Sequence, residues 1–205
     1  MPHDQSSVLS GVVGGAVGRQ FVVPGPPILL PLGMLLMVAS WLVLRRRAQA
    51  TPLRLAATWL AAWYAVAVVG ATLLPLHLSW GAAPQYFRIN PIPLLHVRPI
   101  DSALNVVMTL PFAAALHVVF GIRDKMRVLR LGLLLSASIE ITQGVLILTV
   151  HDNRWAEAND IIANVLGVYL GYLAFDRLLR LDAVRRLVTA AAPTAPEPLP
   201  ATEPG

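Results

Sequence analysis

The segment Leu134–Tyr172 has the sequence LLSASIEITQGVLILTVHDNRWAEANDIIANVLGVYLGY, in which two apolar stretches flank a short polar loop. Each stretch has a length that suits a bilayer. Glu140 lies inside the first stretch, although a carboxylate near the bilayer centre is unfavourable by roughly 3 kcal/mol on insertion scales. Such an acid is expected to face protein partners or a polar cavity and not lipid.

Polar residues recur at helical spacing in both stretches. Ser136, Glu140 and Gln143 are separated by four and three residues, which stacks them on one helix face. The second stretch has the same kind of face, at intervals of four, three and four: Asp160, Asn164, Gly167 and Gly171. We expect the two faces to meet, because the small-xxx-small glycine pair lets the fourth and fifth spans approach closely.

The composition predicts an all-α, polytopic membrane helix bundle. The 205 residues are 56% hydrophobic and only 13% charged, with a mean hydropathy of +0.65, which is too apolar for an ordinary soluble domain. Cysteine is absent, which excludes disulfides and any Cys-based metal or nucleophile site. The net charge of +5 does not indicate a nucleic-acid partner, because the basic residues flank apolar runs. The expected partners are membrane lipids, and no cofactor is expected.

About five membrane spans are predicted, at 28–44, 55–76, 102–120, 128–150 and 160–175. The third contains Pro111, which predicts a kink or a freed carbonyl. Residues 1–27 are expected to be a flexible segment without a cleaved signal. After the bundle (28–175) we expect a basic amphipathic cytoplasmic segment at 176–189 and a disordered Pro/Ala-rich tail at 190–205.

Basic residues form three groups of four, near 45–54, 123–130 and 177–186, and all fall on one side of a five-span arrangement. By the positive-inside rule that side is the cytoplasm, with the N-terminus outside and the C-terminus inside. The loops 77–101 and 151–159 are then outside. Trp80, Tyr86 and Phe87 suit a loop at the level of the lipid headgroups.

Helical rise brings several polar side chains to similar depths in the outer halves of the last three spans. We expect six residues to line one outward-facing, ligand-binding pocket: Asn105, Glu140, Gln143, Arg154, Asp160 and Asn164. Structural roles are expected for Pro111, Ser136, Gly167 and Gly171. No metal site is expected, because the histidines lack the spacing of a metal-binding helix.

Four motifs in the chain resemble the VanZ-like membrane family. They are N-x-I-P from Asn90, N-x5-P-F from Asn105, S-x3-E-x2-Q from Ser136, and R-x5-D-x3-N-x2-G-x3-G from Arg154. The resemblance covers about 55–175. It implies a multi-pass protein of the bacterial cell membrane, in a family named for a member that confers low-level resistance to the glycopeptide antibiotic teicoplanin. It supplies no biochemical mechanism.

The chain departs from the family pattern at two places. Ala113 follows Pro-Phe where the family commonly has Gly. Asn159 precedes Asp160 at a place where the family often has two acids in a row. The chain therefore has one fewer negative charge there, which makes a metal site less favourable.

Each singled-out residue also has a structural interpretation. Glu140 would be a buried carboxyl that fixes helix packing. Arg154 and Asp160 would form a loop ion pair or a helix cap. The glycines would serve only helix packing.

Three functions are open. The leading hypothesis is a pocket for an envelope lipid or a glycopeptide-related group, which alters how cell-wall-active antibiotics meet their target. The alternatives are a membrane enzyme that acts on an envelope lipid, with Glu140 or Asp160 as general base, and a proton-coupled carrier that uses Glu140.

Overall fold

A computed structural model describes residues 20–79, 83 and 85–193. Within them are seven α-helices: α1 (Pro26–Arg46), α2 (Pro52–Leu73), α3 (Pro99–Thr109), α4 (Phe112–Phe120), α5 (Lys125–Val150), α6 (Ala158–Leu178) and α7 (Asp182–Ala191). Five segments of the described chain are long and apolar enough to cross a membrane, with α3 and α4 together forming the third. The predicted all-α, five-span architecture is therefore confirmed.

Proline and polar caps account for where the long helices begin and end. Proline occupies the first turn of α1, α2 and α3, where its missing N–H costs nothing. The Asp124 side chain accepts a hydrogen bond from the Arg127 N–H at the start of α5. Gly121 ends α4 at a φ of +68°, which glycine adopts without strain. Short connections of this kind make consecutive spans antiparallel neighbours.

The third span is interrupted where the sequence predicts it. Leu110 and Pro111 separate α3 from α4, because proline has no N–H to continue the helical ladder. The two halves pack differently: α3 lies against α6, whereas α4 contacts α2, α5 and α6. A buried apolar core of Ala113, Leu116, Val128 and Val168 joins α4, α5 and α6.

Two small strand pairs were not predicted from the sequence. Strand β1 (Gln20–Val23) pairs antiparallel with β2 (Leu76–Ser79), and β3 (Ile89–Asn90) pairs parallel with β4 (Ala156–Glu157). Both pairs lie at the end of the bundle where α2 and α5 finish and α6 begins. We call it the ribbon end, and the opposite end, which carries the three groups of basic residues, the basic end.

Several predicted boundaries are wrong. The second span ends at Leu73, not Leu76, because Pro75 cannot continue the helix and the chain then enters β2. Residues 20–23 form a strand within the segment predicted to be flexible. At the other end α7 runs to Ala191, and Ala191 and Ala192 are buried, so the first residues of the predicted disordered tail are ordered. Residues 1–19, Trp80 and residues 194–205 lie outside the described residues.

Candidate functional site

A cavity near the ribbon end has a volume of about 550 Å³. It lies between α2, α3, α5, α6 and the loop before α6. All six residues that the sequence singled out for binding line it: Asn105, Glu140, Gln143, Arg154, Asp160 and Asn164. The structure therefore brings these residues together around one space, whose volume is within the range of small-molecule sites.

The polar face of α5 is buried and forms hydrogen bonds on three sides. Glu140 Oε2 accepts the backbone N–H of Glu157 at 2.8 Å. The Gln143 side-chain amide donates through Nε2 to the backbone oxygen of Thr72 at 2.8 Å. Ser136 Oγ accepts from Asn164 Nδ2 at 3.0 Å, so the two polar faces of α5 and α6 meet as their spacing predicts.

The glycine pair of α6 approaches α3 and not α5. A methyl group on Gly167 would overlap the Thr109 hydroxyl and the backbone of Val106, and one on Gly171 would overlap the backbone of Leu110. The expectation that these glycines bring the fourth and fifth spans together is therefore wrong. The interruption at Pro111 turns the backbone of α3 toward α6, which leaves no room for a side chain.

A hydroxyl group completes the contact between α3 and α6. Thr109 Oγ1 donates to the backbone oxygen of Asn164 at 2.9 Å. Between α5 and α6 the close contact is instead Gly132 with Val168, where an added methyl would lie 2.8 Å from Val168 Cγ2.

Arg154 acts mainly as a cap on α2. Its guanidinium donates to the backbone oxygens of Ala71 and Leu74 at 3.1 and 2.5 Å. The last carbonyls of a helix have no partner within the helix, and Gln143 satisfies one of the two that lie between them, that of Thr72. Arg154 Nε also lies 3.9 Å from Oδ2 of the buried Asp152. Capping of the end of α2 thus accounts for most of the polar contacts of Arg154.

Asp160 and Asn105 face each other across the cavity wall formed by α6 and α3. Their side chains interact, and both line the cavity. Within the described residues, neither Asp160 nor Glu140 forms an ion pair with an Arg or Lys side chain. The cavity therefore carries two carboxyl groups without a directly bonded cation.

Arg98 is a cavity residue that sequence reasoning missed. It forms ion pairs with Asp101 at 3.1 Å and Glu157 at 2.9 Å, and its guanidinium lies 5.1 Å from the Trp155 ring centroid. It precedes α3 in a long loop, so helical periodicity gave no signal for it. The nearest motif in the sequence is the Asn-x-Ile-Pro segment at 90–93, which ends five residues before Arg98.

Two buried acceptor oxygens in the cavity have no hydrogen-bond donor among the described residues: Gln143 Oε1 and Asn164 Oδ1. Both side chains are more than nine-tenths buried, with exposed fractions of 7% and 1%. Buried polar atoms are normally satisfied, so an unpaired pair lining one cavity points to a hydrogen-bonding occupant.

The cavity opens beside exposed apolar side chains on the outside of the bundle. Leu104 and Val107 of α3 line it and are also 62% and 61% exposed. On the opposite wall, Ala71 and Thr72 belong to α2. Nearer the middle of the bundle, the Tyr64 hydroxyl of α2 donates to the backbone oxygen of Met108 in α3 at 3.0 Å. This bond closes the gap between the two helices below the cavity.

The described residues contain no cluster of three or more His, Cys, Asp or Glu side chains placed to hold a metal ion. The carboxyl groups that line the cavity are instead distributed over α3, α5 and α6, and that of Asp101 is bonded to Arg98.

Comparison with known proteins identifies the family of the chain but no individual relative. No curated protein and no solved structure matches the sequence. A family model does match, over residues 34–180, which extends the resemblance seen at 55–175 into α1. The match covers well over half of the 205 residues and includes every residue around the cavity. The chain therefore belongs to the VanZ/LLP1 family.

Proposed function

We propose that this protein binds the polar group of a membrane amphiphile, such as an envelope lipid or a glycopeptide-related molecule, in the cavity at its ribbon end. Through that binding it alters bacterial susceptibility to teicoplanin-type antibiotics. The observation that carries the proposal is the gathering of buried and half-buried polar side chains from the last three spans around one cavity, whose rim carries exposed apolar side chains. Polar groups inside a membrane protein are costly and mark binding or transport sites.

An amphiphile fits the two kinds of surface that line the cavity. Its polar part would contact the buried groups of α5 and α6, among them Gln143 and Asn164. Its apolar chain would leave between α2 and α3 beside Leu104 and Val107, where the cavity already meets lipid. A molecule already in the membrane would then enter sideways without crossing the aqueous phase.

The proposal includes an orientation. With the basic end in the cytoplasm, as the positive-inside rule requires, the cavity lies in the outer half of the membrane. That half is where antibiotics that act on the cell wall meet their targets. The N-terminus is then outside and the C-terminus is cytoplasmic.

The test is a gene deletion with matched complementation. We expect deletion to change susceptibility to lipophilic glycopeptides more than to non-lipophilic ones. The wild type and Thr142→Val should restore it, because Thr142 is exposed and its hydroxyl bonds only to the backbone of its own helix at Ser138. Asn105→Leu should fail to restore it, since it removes a polar group from the cavity.

Membrane abundance of each variant must be equal for this comparison. Full restoration by Asn105→Leu would contradict the proposal. Mass spectrometry of envelope lipids separates the enzyme hypothesis from binding: a lipid species that appears or disappears on deletion indicates catalysis, and altered susceptibility with unchanged lipids indicates binding.

A further inference from the structure

We infer that the group recognised in the cavity is an uncharged, hydroxyl-bearing head, as in a sugar, and not a phosphate. The inference rests on the proposed function, because it names the chemistry of the ligand that the cavity would hold. Three features of the described residues support it: two acceptor oxygens without a donor, two carboxyl groups without an ion pair, and two arginines that already bond to protein groups.

The orientation of the Gln143 amide is determined by its partner. Its Nε2 lies 2.8 Å from the backbone oxygen of Thr72, which can only accept a hydrogen bond. The NH₂ group must therefore point to Thr72, and Oε1 must be the atom left without a donor. A ligand that satisfies this oxygen has to supply an O–H or N–H.

Asn164 presents a second acceptor in the same cavity. Its Nδ2 donates to the Ser136 hydroxyl at 3.0 Å, and its Oδ1 is buried without a donor. The two acceptors come from adjacent helices, α5 and α6. Hydroxyl groups at neighbouring positions of a ring would be able to donate to both.

A phosphate would meet the wrong charges. Two nitrogens of Arg154 donate to the backbone oxygens of Ala71 and Leu74, and its Nε lies 3.9 Å from the carboxylate of Asp152. Arg98 is bonded to two carboxylates. Glu140 and Asp160 remain without an ion pair among the described residues. An anion placed among these groups would be desolvated without gaining a free cation, which is unfavourable. Carboxyl groups, in contrast, are good partners for sugar hydroxyls.

The experiment measures which headgroup the intact protein retains. The full chain is placed in nanodiscs of phosphatidylcholine, whose headgroup has neither O–H nor N–H donors. Equal amounts of monoglucosyl diacylglycerol and of phosphatidylmethanol, an anionic phosphodiester lipid without hydroxyl groups, are added with the same acyl chains, and native mass spectrometry counts the lipids that stay bound. We expect the glucosyl lipid to be retained at least about tenfold more, because a site built around polar partners discriminates strongly against a mismatched group.

Two variants test the role of the Gln143 oxygen. Gln143→Met has a similar volume but no acceptor and should abolish the preference. Thr142→Val, its neighbour on the exposed side of the same helix, should preserve it. If Gln143→Met keeps the full preference, the assignment of this oxygen is overturned. If that variant does not fold, the preference of the wild-type protein still decides the headgroup chemistry.

The remaining outcomes separate this inference from the proposed function. Equal retention of both lipids, or more phosphatidylmethanol, overturns the hydroxyl inference and leaves lipid binding intact. In a parallel arm with teicoplanin, retention of the antibiotic and of neither lipid supports hydroxyl recognition and assigns its source to the glycopeptide. Retention of none of the three above the host lipid overturns the inference and the proposed function together.

Discussion

At the scale of single residues, the side chains of the cavity divide into those that hold the bundle together and those that remain available. Arg154 and the amide nitrogen of Gln143 satisfy three carbonyls at the end of α2. Asp160 and Gln143 both line the cavity. Among the described residues, Asp160 has no ion pair and the Gln143 side-chain oxygen has no hydrogen-bond donor. The Gln143 side chain can thus stabilise the bundle through its nitrogen and remain available to a ligand through its oxygen, because an amide has a donor end and an acceptor end.

The capping role of Arg154 predicts a loss of stability on substitution. Arg154→Met removes the donors of the Ala71 and Leu74 oxygens, and it should lower the free energy of unfolding by roughly 1–3 kcal/mol. Thermal unfolding in detergent measures the change. Arg180→Met is the control, because the Arg180 side chain is 77% exposed and its ion pair with Asp176 lies at the surface. Equal effects of the two substitutions would argue against a structural role for Arg154.

Substitution of Glu140 distinguishes a binding function from a catalytic one. Glu140→Gln keeps an oxygen that can accept the Glu157 N–H. If the cavity binds a ligand without reacting, affinity should remain within about tenfold of wild type, the scale of one hydrogen bond. A general base or proton relay predicts a loss of about 10²–10⁴-fold in activity instead. Glycopeptide susceptibility of complemented cells and lipid retention in native mass spectrometry give the two readouts.

At the scale of elements, the contact between α3 and α6 is the tightest part of the described bundle. It depends on Gly167 and Gly171, which lie against the α3 backbone where the third span is interrupted. Without a hydrophobic driving force between helices in lipid, such close backbone contact is a main source of helix association. The same contact holds Asn105 opposite Asp160 and thereby sets one wall of the cavity.

Substitution of these glycines should therefore destabilise the bundle. Gly167→Ala and Gly171→Ala each place a methyl group inside the α3 backbone, and we expect a cost of about 1–3 kcal/mol or more. Gly144→Ala on α5 is the control, since its nearest neighbour would be Ala156 Cβ at an ordinary 3.9 Å. Melting temperatures in detergent compare the three. Tolerance of alanine at both α6 positions would show that α3 does not pack as described.

At the scale of the whole molecule, the two ends of the bundle differ in charge and in structure. The basic end carries the three arginine-rich groups, and the ribbon end carries both strand pairs and the cavity. The length and hydropathy of a span are the same whichever way it crosses the membrane, so only the charges specify which end of the bundle faces the cytoplasm.

The orientation predicts the result of reporter fusions. Fusions after Arg47, Asp101, Arg127, Asn153 and Arg186 should read inside, outside, inside, outside and inside, because each basic group resists translocation. Alkaline phosphatase and green fluorescent protein fusions report the two compartments. An outward signal after Arg186 would reverse the orientation and put the cavity in the cytoplasmic half of the membrane.

The sequence by itself determined the number of spans, the interruption at Pro111 and the polar faces of α5 and α6. These features follow from local hydropathy, from the missing N–H of proline and from helical periodicity, which act within one element. The six predicted cavity residues were also recognisable, because a polar side chain in an apolar run needs a partner. Short loops place consecutive spans side by side and so limit which spans can provide that partner.

Only the tertiary structure decided what each of those residues touches. Periodicity assigns Gly167 to a face of α6, but it does not say that α3 lies there. Likewise, it cannot reveal that Arg154 caps α2 across some eighty residues of chain, or that Arg98 reaches the cavity from a loop. Such contacts depend on how helices pack and loops fold back over the bundle. That arrangement is set by the sum of many contacts between distant residues, and no local pattern in the sequence records it.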